Sequence, residues 1–279
     1  MSDLIDATPI DAQSETEFLK VTDNQDGTER CIAYKKSSGQ NSPGILFIAG
    51  FMSSKDANKP TALHSFCQKQ GIPFVRFDAT ALGETKGPIE LKDARFSHWL
   101  QDAEEVLVHL TEGPQLVIGS SMGGWIASCL AKRYPEKVCG LLLLAPSINF
   151  SDYYVQRLRK NAPPELLEVL EKGESFEYND PKYGPYPLSL RVFQEMIPYE
   201  LPLEEDGGYP VRCPVRIIHG TEDTYSPYMN SLKLLTGFET KDVQLTYIKG
   251  TGHHLDDPDS LDMIYKTILS MMSILQSKL

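Results

Sequence analysis

Leu116-Val117-Ile118 is a short apolar strand that runs straight into a glycine-flanked serine, and few folds accept such a junction. Gly119-Ser120-Ser121-Met122-Gly123 has the spacing G-x-S-x-G. Trp125 to Tyr134 then reads as a helix with basic residues in its last turn, stopped by Pro135. A bare G-x-S-x-G arises by chance in roughly one chain in ten of this size, so the strand before it and the helix after it carry the meaning. A serine hydroxyl is almost wholly protonated at neutral pH and attacks poorly in water. A sharp strand-to-helix turn beside a base, with backbone N–H groups waiting for negative charge, makes it useful. On this reading Ser121 points its Oγ out of the top of a sheet. One flanking glycine lets the backbone bend and the other lets the helix press close to the strand. The plainer reading is a Gly/Ser turn that only links strand to helix.

The 279 residues suit one or two domains, and 41% hydrophobic with 23% charged residues is enough for a core that needs no disulfides. The five cysteines are odd in number and form no C-x-x-C pair. Free thiols in a reducing compartment are expected, and no zinc site. A net charge of −11 with no basic block argues against nucleic acid and anionic membranes as partners. The longest apolar run, Val138 to Pro146, is too short to span a bilayer. Asp3, Asp6, Asp11, Glu15 and Glu17 open the chain without a Lys or Arg among the first 17 residues, which opposes a secretory or organelle leader. The expected address is cytoplasmic.

Phe18–Val21 and Arg30–Lys35 read as a leading hairpin around Asn24-Gln25-Asp26-Gly27. From Pro43 onward, buried strands alternate with amphipathic helices. Strands are predicted at Gly44–Ala49, Pro73–Phe77, Leu116–Ile118, Val138–Leu144, Val215–Ile218 and Val243–Ile248. Phe96, Trp99, Leu100, Ala103, Leu107 and Leu110 mark one helix face, and Leu261, Ile264, Ile268, Met271 and Leu275 another. The fold class is α/β, a mostly parallel sheet flanked by helices. Residues 149–211 break the alternation and show no convincing buried strand. A helix starts at Pro163-Pro164-Glu165 and closes at Gly173, and a second piece runs from Ser189 to Pro198. Nine of the 24 Phe and Tyr residues fall between Phe150 and Tyr199. They either give an insertion its own small core or line an apolar pocket as a helical cap. The expected organisation is one domain, 1–279, with that cap inserted.

A nucleophilic serine needs a base and a group to orient it, in chain order Ser, acid, His for this strand pattern. Val215–Ile218 leads into His219-Gly220-Thr221-Glu222-Asp223-Thr224-Tyr225-Ser226-Pro227. Asp223, four residues before Pro227, is the candidate acid. The last strand leads into Lys249-Gly250-Thr251-Gly252-His253-His254, where His253 is the candidate base. His64, His98 and His109 fall on predicted helices, and His219 belongs to the turn that aims Asp223. The N–H groups of Met122 and Phe51 are the candidate oxyanion donors.

With these residues placed, the chain resembles the α/β-hydrolase superfamily, and within it the group of abhydrolase-domain-containing protein ten. Four stretches carry the likeness: Phe47–Ser53 with Lys59 downstream; Arg76-Phe77-Asp78 leading to Gly83; Gly119–Trp125; and Cys213–Gly220 with Asp223. The resemblance implies hydrolysis of acyl esters or thioesters, S-palmitoylated proteins and acyl glucuronides among them, with no metal or organic cofactor. It also offers the mitochondrion as an alternative address. His254 stands where the group has Arg, Ala57-Asn58 where it has Gly-Thr, and Ala81 where it has a turn glycine. Two other readings stay open: an esterase of small molecules with no protein substrate, and a hydrolase fold kept as a binding protein.

Overall fold

The computed structural model describes residues 15–161, 163–180, 184–204 and 207–278. It opens on the hairpin read from sequence, β1 (Glu17–Thr22) antiparallel to β2 (Glu29–Ser37). Then come β3 (Gly44–Ile48), α1 (Asn58–Lys69), β4 (Phe74–Phe77), α2 (Phe96–His109), β5 (Gln115–Ser120), α3 (Met122–Arg133) and β6 (Val138–Leu144). After an insertion the pattern resumes with β9 (Val215–Gly220), α7 (Ser231–Gly237), β10 (Val243–Ile248) and α8 (Pro258–Gln276). The strands form one eight-stranded sheet in the order β1-β2-β4-β3-β5-β6-β9-β10. Within this sheet the β4–β3, β3–β5, β5–β6, β6–β9 and β9–β10 pairings are parallel, and the β1–β2 and β2–β4 pairings are antiparallel.

Strand residues alternate between two cores, as a period of two requires. Ile45, Phe47, Leu116, Ile118, Leu142 and Leu144 pack with the apolar faces of α1 and α8. Leu46, Ile48, Val117, Leu141 and Leu143 pack on the other side with α2 and α3. Both faces of the central strands are buried, so they read as continuous apolar runs.

A buried ion cluster fastens the leading hairpin to α2. Arg30 donates from Nε to Asp102 Oδ1 at 2.7 Å and from Nη2 to Gln101 Oε1 at 3.1 Å. Asp102 Oδ2 accepts from both N–H and O–H of Thr80, each at 2.6 Å. Arg30 also reaches Asp23 Oδ2 from Nη1 at 3.3 Å, so removing Asp102 leaves the buried guanidinium with one longer ion pair in place of two. Asp102→Ala is therefore expected to cost about 3–5 kcal/mol of stability, measured as a fall in the urea midpoint at unchanged m-value. A loss below 1 kcal/mol would show that Asp23 and Gln101 suffice to hold Arg30.

The insertion departs from the helical cap expected at 149–211. It contains helices α4 (Ser151–Asn161), α5 (Pro164–Glu171) and α6 (Leu190–Gln194). Between α5 and α6 it also holds an antiparallel ribbon of β7 (Ser175–Asp180) and β8 (Gly184–Ser189). A search for buried strands passes over this ribbon because each strand is half exposed. Phe176 and Tyr178 alternate with exposed Ser175, Glu177 and Asn179. In β8 Tyr186 and Leu188 turn inward while Pro185 and Pro187 turn outward. Proline cannot donate to a ladder and is confined to such edges.

Candidate active site

Ser121 caps α3 with φ 55° and ψ −124°, a left-handed conformation that an L side chain adopts only under strain. The serine itself bears the bend assigned from sequence to a flanking glycine. The glycines supply clearance instead. A Cβ on Gly119 would sit 2.4 Å from the Gly123 carbonyl oxygen, and one on Gly123 would sit 2.2 Å from that of Ile48. The start of α3 thus rides directly on the ends of β3 and β5.

The acid and base loops are held against each other in the same way. A Cβ on Gly220 would meet the Thr251 carbonyl oxygen at 2.1 Å. Thr221 N–H donates to Ile248 O and Glu222 N–H to Thr251 O, each at 2.9 Å. This docking brings the three separated candidates together. His253 Nε2 lies 2.9 Å from Ser121 Oγ, and His253 Nδ1 lies 2.6 Å from Asp223 Oδ2. Asp223 Oδ1 accepts from the N–H groups of Tyr225 and Ser226, both at 2.8 Å. Burial alone would push the Asp223 carboxyl up. Hydrogen bonds from His219 and His253, the His253 charge and the Ser226 N–H outweigh it and hold the carboxyl well below the usual carboxylate range. An ionised Asp223 accepts only, so His253 carries its proton on Nδ1 and turns a lone pair toward Ser121.

The loop after β3 passes directly beneath the nucleophile, since a Cβ on Gly50 would lie 2.8 Å from Ser121 Cβ. Among the described residues, neither Phe51 N–H nor Met122 N–H donates to a protein acceptor. The loop is pinned from below. Asp78 Oδ1 accepts from Lys55 N–H at 2.6 Å, Asp78 Oδ2 accepts from Lys55 Nζ at 3.2 Å, and Arg76 donates to the Lys55 carbonyl at 2.5 Å. That accounts for Arg76-Phe77-Asp78 and for Gly83, whose Cβ would strike the Asp78 carboxylate. Ala81, in the place of a turn glycine, sits at φ 63°.

A cavity of about 430 Å³ opens over Ser121 and His253. Phe150, Tyr186, Leu188, Val192, Phe193 and Met196 from the insertion line one side. Ser53, Asn58, Lys59, His254 and Asp256 are among its other lining residues. Ser120, next to the nucleophile, accepts a 2.9 Å hydrogen bond from Lys59 Nζ. Sequence reasoning passed over Ser147, whose Oγ lies 3.3 Å from Ser121 Oγ. It also passed over the ring of Tyr225, 5.2 Å from that of His253. Neither residue belongs to a spacing that marks it in sequence. No cysteine is among the described residues that line this cavity, and burial pushes the Cys129 and Cys139 thiols up to about 11 and that of Cys213 to about 12.

A strained serine between strand and helix, on a parallel sheet with β9 and β10 feeding an acid and a histidine loop, defines the α/β-hydrolase class of serine hydrolases. Within that class the chain belongs to the serine aminopeptidase S33 family (Hydrolase_4), which it matches over residues 45–257. It is 32% identical to rat palmitoyl-protein thioesterase ABHD10, mitochondrial, over 85% of this chain and 77% of that one. Against the human protein of the same name the figures are 30%, 85% and 75%. The solved structure of mouse alpha/beta hydrolase domain-containing protein 10 superposes with a TM-score of 0.78 at 29% identity, covering 94% of this chain and all of that one. A hydrolase structure from Agrobacterium vitis S4 gives 0.82 at 27%, covering 93% and 99%. These likenesses make the chain an ABHD10-like serine hydrolase of the ester- and thioester-cleaving kind.

The curated relatives' names carry a mitochondrial address, the alternative to the cytoplasm expected from sequence. The acidic opening behind that expectation, with Asp3, Asp6 and Asp11, lies outside the described residues. Among the described residues no helix is long and apolar enough to cross a membrane.

Proposed function

We propose that the chain hydrolyses long-chain acyl thioesters and esters, S-acylated proteins and acyl glucuronides among them, through Ser121, His253 and Asp223. The observation that carries this reading is the unbroken hydrogen-bonded line from Ser121 Oγ through His253 to Asp223 on the wall of a largely aromatic and aliphatic cavity. Ser121 Oγ attacks the acyl carbonyl while His253 Nε2 takes its proton. The N–H groups of Phe51 and Met122 bind the oxyanion of the tetrahedral intermediate, each donor worth about 3 kcal/mol. The intermediate collapses as His253 protonates the departing thiol or alcohol, and the same imidazole then deprotonates the water that releases the acid. Asp223 keeps His253 in the required tautomer and stabilises the imidazolium. Within the single domain, the 149–211 insertion acts as the cap that covers the acyl chain. The two relatives named as palmitoyl-protein thioesterases support the choice of acyl group.

Matched oxygen esters and thioesters of increasing acyl length test this. Each buried methylene should add about 0.8 kcal/mol of binding, roughly a fourfold gain in kcat/KM wherever that binding is felt in the transition state. The expected profile climbs until the cavity is full, and replacing Phe150–Val211 by a short linker flattens it while short esters still turn over. A flat profile in the intact protein removes the long-chain reading and leaves a small-molecule esterase.

A further inference from the structure

His219 is the penultimate residue of β9 and has no exposed surface. Its Nε2 lies 2.8 Å from Asp223 Oδ2, the same oxygen that faces His253 Nδ1. Its Nδ1 lies 2.7 Å from the hydroxyl of Ser231, the buried first residue of α7. The sequence reading placed His219 in the turn that aims Asp223. The side chain goes further and binds the carboxylate directly. We propose that His219 is a positioning residue for acyl transfer, a second imidazole that holds Asp223 Oδ2 in place and shares its negative charge with His253.

The proton inventory follows from chemistry. An ionised Asp223 can only accept, so each ring must carry a proton on the nitrogen that faces Oδ2. For His253 that nitrogen is Nδ1, which leaves Nε2 free to take the Ser121 proton. For neutral His219 it is Nε2, so Nδ1 is a lone pair that accepts from the Ser231 hydroxyl. Ser231 thereby fixes the His219 tautomer, and His219 helps fix the carboxylate. With Tyr225 and Ser226 N–H groups on Oδ1, both carboxylate oxygens are doubly engaged and the acid cannot rotate.

Sharing has a consequence for charge. A carboxylate oxygen that serves two donors grips each less tightly than it would grip one. With His219 removed, Oδ2 would hold the imidazolium form of His253 more strongly, and the base would need a higher pH to become available. The other titratable groups near this chain are Tyr225 and His254 against the His253 ring, Tyr247 paired with His219 from β10, and Lys59 and Asp256 on the cavity wall. None of them changes when position 219 is substituted.

The inference rests on the Ser121–His253–Asp223 reading, and the experiment separates the two. His219→Phe keeps a ring of similar size without a donor, and His219→Gln returns an amide N–H near the place of Nε2. His219→Phe is expected to lower kcat about 10- to 100-fold, with KM changed less than about twofold. The acid limb of its kcat/KM profile should move up by about 0.5 to 1 pH unit, and His219→Gln should bring that limb back. In wild type, low-field proton NMR with nitrogen-15 histidine should show His219 protonated on Nε2. That measurement needs no variant to fold. An acid limb unmoved in His219→Phe, or a wild-type His219 protonated on Nδ1 alone, would overturn the inference while labelling of Ser121 by a fluorophosphonate left the triad standing. A wild type that the fluorophosphonate does not label would overturn both.

Discussion

Ser121→Ala is expected to abolish covalent labelling by a fluorophosphonate and to lower kcat by about 10⁴- to 10⁶-fold, with the fold intact. The magnitude follows from what remains. Without the nucleophile, the oxyanion donors and the binding cavity still act, and in triad enzymes these alone keep a residual acceleration of about 10³–10⁴ over water. Alanine places the same Cβ at the same positive φ as serine, so the elbow bears no new strain. Thermal unfolding should therefore shift by no more than a few degrees. Ser120→Ala is the control. Its hydroxyl is bound to Lys59 on the cavity wall and not to His253, so labelling should persist at wild-type stoichiometry. Labelling that survives Ser121→Ala, or disappears in Ser120→Ala with Ser121 present, would assign the nucleophile elsewhere. Stoichiometric labelling of wild type disposes of the reading in which the fold is kept only for binding.

The sheet was legible in the chain because its central strands are buried on both faces and its helices on one. Runs such as Leu141–Leu144 admit little else, and the hairpin around Asp26-Gly27 announces itself by its turn. The ribbon β7–β8 was not legible. Its inward positions, Phe176, Tyr178, Tyr186 and Leu188, are interleaved with polar residues and with two prolines, which read as a loop. The candidate triad was legible because each member follows a strand at the end of the sheet where such residues gather. Ser147 and Tyr225 escaped for the opposite reason. They reach the serine and the base only through the packing of loops that no local spacing reveals. The clearance at Gly220 also belongs to this category, whereas beside the serine one close approach was expected and the fold shows that Gly119 and Gly123 both make one. Sequence shows a glycine, but only the fold shows which carbonyl a methyl group would strike.

His253→Ala is expected to cost about 10⁴-fold or more in kcat, whereas His254→Ala should change kcat less than about tenfold and act mainly on KM or substrate preference. The two imidazoles are adjacent in sequence, but one residue of rotation in the loop sends them in different directions. His253 spans from Ser121 Oγ to Asp223 Oδ2. The His254 ring sits 5.7 Å from that of His253 and as far from that of Tyr225, on the cavity wall. Losing His253 removes the proton acceptor for attack and the donor to the leaving group, a loss that no neighbour on this wall is placed to restore. The pH profile gives an independent check. Hydrogen bonds hold the Asp223 carboxyl below the usual carboxylate range against the opposing effect of burial, so it stays ionised down through mildly acid pH. The fall of kcat/KM on the acid side must then come from protonation of an imidazole and not of the acid. In His253→Ala the residual activity should lose that acid limb, and in His254→Ala the limb should persist. A His254→Ala variant that loses both rate and limb, beside a His253→Ala variant that keeps them, would move the base by one position and break the line to Asp223 on which the mechanism depends.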